Sequence, residues 1–149
     1  MKERVFIFIV PAVPSPFSGG GDLTVIGVVE AFARVADRIV LMPLTRLPGR
    51  HIRDFLYSHS NTTLEVDYCL EHLGCLTKTA SALSDSVMEK IRYLRPEMVM
   101  AYHFPASRYL KYFQPLSKTV AFLGDPPYLP FYYGEKLRNA GISGFRALI

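Results

Sequence analysis

A mostly parallel α/β sandwich is the fold that this sequence predicts. Three observations predict it. Short apolar runs alternate with amphipathic stretches, the first runs are uninterrupted rather than alternating, and turns rich in glycine or proline separate the segments. Strands that alternate with helices imply right-handed crossovers and a parallel sheet covered on both faces. At 149 residues the chain suits one domain, with no internal repeat, low-complexity segment or dividing linker.

The elements follow in order. Arg4 to Val10, with its apolar core VFIFIV, reads as the first buried strand. The turn PSPFSGGG comes next, then a helix over Leu23 to Ala36 with Asp22 placed to cap it. Val25, Val28, Val29, Phe32 and Ala36 share one face of that helix. Gly27 costs about 1 kcal/mol there relative to alanine, which suggests close packing against the sheet. Arg38 to Pro43 is a second short buried strand, Leu47, Ile52, Phe55 and Leu56 hint at a short helix after Pro48-Gly49, and Leu64 to Leu70 reads as a third strand.

Lys78 to Leu94 is the strongest helical pattern, with Ala80, Leu83, Val87, Ile91 and Leu94 in one stripe. Pro96 enforces its end, since the residue before a proline is pushed out of the helical region. Met98 to Tyr102 is a fourth strand, Pro105 to Phe113 a short helix and Thr119 to Leu123 a fifth strand. Gly124-Asp125-Pro126-Pro127 stops it, and an aromatic helix follows from Tyr128 to about Arg138. Together these elements make a Rossmann-like three-layer sandwich.

Composition narrows the function classes. Half the residues are apolar and a fifth are charged, which is globular composition. No apolar run approaches the ~20 residues of a spanning helix, and the run after MKER is too short for a secretory signal. A cytoplasmic protein is expected. The formal charge of +4 is spread along the chain rather than clustered, so nucleic acid is not an expected partner. A solvated surface, or weak attraction to phosphorylated ligands or the inner face of an anionic membrane, accounts for it. Cys69 and Cys75 form neither a disulfide framework nor a metal site, and no histidine pair has ligand spacing, so no metal and no cofactor is expected.

Ligands of open α/β sheets bind outside the carboxyl ends of the strands, at the switch in strand order. Three loops qualify by composition: Ser15–Gly21, Tyr102–Ala106 and Gly124–Tyr128. They converge if the first strand is central with the fourth beside it. Gly19, Gly20 and Gly21 leave room for an anion at the positive end of the following helix, or form a simple turn. Their spacing matches neither a dinucleotide fingerprint nor a Walker loop, because no GxGxxG and no Lys-Ser/Thr is present. His103 follows a strand directly, placed to act as a base or a donor, or to pack among Tyr102, Phe104 and Tyr109. Asp125 either accepts from a sugar hydroxyl or caps the next helix. Tyr128, Phe131, Tyr132 and Tyr133 either cradle a sugar face or lipid chain, or form a cover or an interface.

In this order the segments RVFIFIV, PSPFSGGG, DLTVIGVVEAFARVA, IRYLRPEMVMAYHFP and FLGDPP resemble the N-terminal Rossmann-like domain of a GT-B glycosyltransferase of the retaining, GT4-like group. The order of the three loops carries the resemblance, which spans essentially the whole chain. It implies that Gly19, Gly20 and Gly21 approach a donor diphosphate and that His103 lies near the reacting sugar as the catalytic candidate. Asp125 and Tyr128 would contact substrate. It further implies a nucleotide-sugar donor, a glycan or lipid-linked acceptor, and a second donor-binding domain or partner subunit, without which the domain is inactive. Self-association through the aromatic segment at Tyr128–Tyr133 is expected of the isolated chain. The alternative is a non-catalytic flavodoxin-like or response-regulator-like binding module. Against it, the first strand ends without paired acids and no Ser/Thr-rich phosphate loop is present.

Overall fold

The computed structural model describes residues 2–17, 20–50, 61–73 and 83–122. Five strands form one parallel sheet: β1 (Val5–Val10), β2 (Arg38–Pro43), β3 (Thr63–Val66), β4 (Met98–Tyr102) and β5 (Lys118–Phe122), in the order β3-β2-β1-β4-β5. Helices α1 (Gly20–Ala33), α2 (Asp85–Leu94), α3 (Phe104–Ser107) and α4 (Leu110–Phe113) complete the described regular structure, with a 3-10 helix at Tyr68–Leu73. The predicted α/β Rossmann-like sandwich is what the chain forms.

β1 occupies the centre, flanked by β2 and β4, so all six of its residues are buried. Its alternation divides the core. Val5, Ile7 and Ile9 pack with Val40, Met42, Val99, Val87, Ile91, Leu110 and Phe113 on one face. Phe6, Phe8 and Val10 pack with Val25, Ile26, Val29, Ile39 and Leu41 on the other. Phe32 sets its ring edge-on against both Phe6 and Phe8, at 5.3 and 5.6 Å. The sheet is therefore covered by α1 on one side and by α2 and α4 on the other.

The element boundaries differ from the sequence expectation in ways that have local causes. α1 begins at Gly20 instead of Leu23, because the glycines themselves adopt helical geometry. Asp22 thus lies inside the first turn and is not its cap. Its carboxylate turns back to accept from the Ser15 amide at 3.1 Å. At the far end, Val35 N–H bonds to Phe32 O at 3.0 Å, tightening the last turn, while the Thr62 hydroxyl lies 2.6 and 2.8 Å from the Ala33 and Ala36 carbonyls. The helix ends at Ala33, and Ala36 is buried beyond it. Gly27 faces open space: a Cβ placed on it meets nothing within 4 Å, so close packing is not its reason.

β3 stops at Val66, four residues before the expected end at Leu70. Asp67 accepts from the Cys69 amide at 3.1 Å, and this side-chain turn starts the 3-10 helix. Ser84 caps α2 by accepting from the Val87 amide, so the helix starts at Asp85 rather than Lys78. Leu83 is buried ahead of the cap, and residues 78–82 lie outside the described residues, as do 51–60. Pro96 acts as expected: α2 ends at Leu94, with Arg95 in the left-handed region at φ 46°. The expected single helix over Pro105–Phe113 is two short ones, broken where Tyr109 and Tyr112 make i→i+3 bonds.

Candidate functional site

The chain leaves β1 toward β2 on one side of the sheet and leaves β4 toward β5 on the other. The crevice between the carboxyl ends of β1 and β4 is therefore the topological switch point, where open α/β sheets place ligands. Two of the three predicted loops meet there.

His103 follows β4 with φ 68° and ψ 157°, a backbone region populated essentially by glycine alone. Holding a histidine there costs on the order of 1–3 kcal/mol. Neighbouring bonds impose it: His103 N–H donates to Phe122 O at 2.9 Å, and the His103 carbonyl accepts from Ser107 N–H at 3.1 Å. The imidazole stands edge-on to the Tyr102 ring at 4.2 Å, and Tyr102 stacks on Phe122 at 5.4 Å. Of the expected aromatic packing, the Tyr102 contact is present, whereas Tyr109 is buried in the core of the opposite face. His103 itself is half-buried at the crevice.

Gly21 locates the other side. A Cβ built on it would lie 3.5 Å from Tyr102 Oη and 3.8 Å from His103 Nε2. Phenol and imidazole thus converge on the first turn of α1, where backbone N–H groups have no intrahelical partner and the helix dipole is positive. Gly20 is the first residue of α1. Gly19 lies outside the described residues, as do Asp125, Tyr128 and the aromatic segment expected to mediate self-association.

Arg50 is a further resident that sequence reasoning missed. The loop after β2 brings its Nη1 to 2.6 Å from Asp22 Oδ2 and 3.2 Å from the Val13 carbonyl. One guanidinium thereby ties together the loops after β1 and β2 and the start of α1, with both charged side chains about three-quarters buried. Phe17, at the tip of the first loop, is 91% exposed, its amide donating to the Ser15 hydroxyl at 3.3 Å. Tyr102 was legible only as a packing partner; its position at the last residue of β4 was the available signal.

The remaining chemistry lies elsewhere. Burial, with the Asp67 charge adding to it, pushes the Cys69 thiol up to about 12, so it stays protonated and unreactive at neutral pH. Lys90 is held charged, its pKa raised mainly by its bond to Asp67 at 2.5 Å. Among the described residues no group of three or more His, Cys, Asp or Glu is placed to hold a metal ion, and no helix is long and apolar enough to cross a membrane.

The fold and site define an α/β domain in which Tyr102, His103 and the first turn of α1 come together at the switch point of the sheet. No family model, curated protein or solved structure matches the chain.

Proposed function

We propose that this chain is the acceptor-side domain of a GT-B glycosyltransferase, moving a sugar from a nucleotide-sugar donor to a glycan or lipid-linked acceptor. A second domain or partner subunit supplies the donor half. The observation that supports this most is the convergence of His103 Nε2 and Tyr102 Oη on the first turn of α1 at the switch point.

In this reading the N–H groups of Gly20 and Gly21, with the α1 dipole, stabilise charge developing on the leaving diphosphate. His103 Nε2 presents a hydrogen bond to the reacting sugar, and the glycine-like backbone at His103 aims the ring at α1. Strain of this kind concentrates at functional sites, where the surroundings over-determine it. Asp125 and Tyr128, which follow β5 in the sequence, contact substrate. The protein works in the cytoplasm, with peripheral contact to the inner face of the membrane where the acceptor is lipid-linked. The strand order also bears on the alternative: a flavodoxin-like module has the order 2-1-3-4-5, unlike the one found here.

The test is sugar transfer by the whole open reading frame containing these residues, assayed with labelled UDP-, GDP- and ADP-sugars. Transfer that falls about a hundredfold or more in His103→Ala supports the reading. Transfer indifferent to that substitution, or absent with every donor, overturns it.

A further inference from the structure

Many basic side chains of the described fold face a carboxylate: Arg4 with Asp37, Arg38 with Glu65, Arg46 with Glu71, Arg50 with Asp22 and Lys90 with Asp67. Arg34, Lys111 and Lys118, singly and elsewhere, face none among the described residues, and at the amino edge of the sheet three such cations are gathered together. Lys2, Arg92 and Arg95 line one cleft of about 260 Å³, completed by Ile91, Pro96 and Leu116. Among the described residues no acidic side chain lines it, and none of the three cations forms an ion pair with another described residue. Glu3 and Glu97, the acids closest in sequence, are exposed and stand outside the lining.

Arg92 and Arg95 sit at the carboxyl end of α2, where cations complement the helix dipole. That accounts for two charges on one helix. It does not account for Lys2, which arrives from the segment before β1 to join them in one cleft. Arg95 also occupies a left-handed cap, φ 46° and ψ 54°, that glycine would hold at lower cost. A side chain is kept there in spite of the backbone.

We propose that this cleft binds a phosphate monoester, its phosphoryl group held by Lys2, Arg92 and Arg95 and its carbon skeleton lying beside the half-buried Leu116. Guanidinium groups match phosphate oxygens in a two-pronged geometry, and lysine adds a point charge. The volume lies just under the usual range for drug-sized ligands, which suits a phosphate with a few attached carbons. The cleft is at the start of β1 and the crevice at its end, so a six-residue strand of roughly 20 Å separates the two. The site is thus independent of the proposed sugar transfer. The phosphate belongs either to a small metabolite or to a phosphatidic acid headgroup.

Titration of the ¹⁵N-labelled chain with sn-glycerol 3-phosphate at low salt tests this, alongside sedimentation with phosphatidylcholine vesicles carrying phosphatidic acid. Saturable amide shifts at Arg92, Arg95 and Glu97 are expected with a metabolite, and vesicle binding without them with a headgroup. In either arm, Arg92→Gln with Arg95→Gln weakens binding at least about tenfold, or about 1.4 kcal/mol. The control Arg34→Gln with Lys111→Gln removes the same charge elsewhere and leaves binding within about twofold. Should the arginine variant not fold, Lys2→Gln, outside any helix, replaces it with an expected loss of about threefold. No saturation by about 10 mM ester together with no vesicle binding overturns the proposal, as does equal loss in the two double variants.

Discussion

Replacing His103 by glycine and by alanine separates the backbone from the ring. At an ordinary position glycine is the less stable of the two by roughly 0.5–1 kcal/mol, because its unfolded chain has more freedom to lose. His103 holds φ 68° and ψ 157°, where any residue with a Cβ stores on the order of 1–3 kcal/mol. Alanine keeps that strain and loses the edge-on contact with Tyr102, worth about 0.5–1.5 kcal/mol. Glycine loses the same contact but releases the strain. Subtracting its entropy cost from the relief leaves the glycine variant ahead of the alanine variant by about 0–2.5 kcal/mol, with about 1 kcal/mol at the centre of the range. The order of the two variants is thus inverted relative to an ordinary site. Urea unfolding of both, with m-values compared to confirm like transitions, measures the difference directly. An alanine variant more stable than the glycine variant by the ordinary amount of roughly 0.5–1 kcal/mol would refute the strained backbone, and with it the claim that function holds histidine there.

Three further outcomes follow from the same geometry. Gly27→Ala places a methyl in open space on an exposed helical position, so stability rises by about 0.5–1 kcal/mol; no gain in denaturant midpoint would show that the helix is constrained there in some other way. Arg50→Ala leaves the Asp22 carboxylate partly buried without its guanidinium and loosens the loop at Val13, costing about 1–2 kcal/mol, and a double-mutant cycle with Asp22→Asn isolates the pair; additive losses would deny the coupling. The raised Cys69 pKa means that the unfolded thiol ionises first, so its contribution is intact below about pH 9 and lost as pH rises toward about 12. Lys90, also raised, loses its contribution on the alkaline side as well. Wild-type stability should fall across that window more steeply than that of Cys69→Ala, and parallel curves would contradict the assignment.

Much of the sheet was legible in the sequence, because a strand buried on both faces must be apolar throughout. Val5–Val10, Arg38–Pro43 and Met98–Tyr102 read as strands for that reason and are strands. The start of α2 was misplaced because Ala80 and Leu83 continue its apolar stripe at helical spacing, and only Ser84 marks the stop. Asp67 misled in the same way, as a polar residue inside an apolar run that redirects the chain through its own side chain. The site was half legible. A glycine turn after β1 and a histidine after β4 stand out by type, and strand order brings them together. Arg50 and Asp22 are far apart in sequence, so their contact depends on the fold and left no local trace. The backbone at His103 was invisible for a different reason: the residue that signals such a conformation is glycine, and the chain has histidine.

The central claim is that the crevice between β1 and β4 receives a diphosphate. It is tested most directly by titrating inorganic pyrophosphate into the ¹⁵N-labelled chain carrying Arg92→Gln and Arg95→Gln, which silences the amino-edge cleft. Saturable shifts centred on the amides of Gly20, Gly21 and Asp22 and on the His103 ring are the predicted result. Shifts that spread over the surface without saturating, or that leave those residues unmoved, would contradict it.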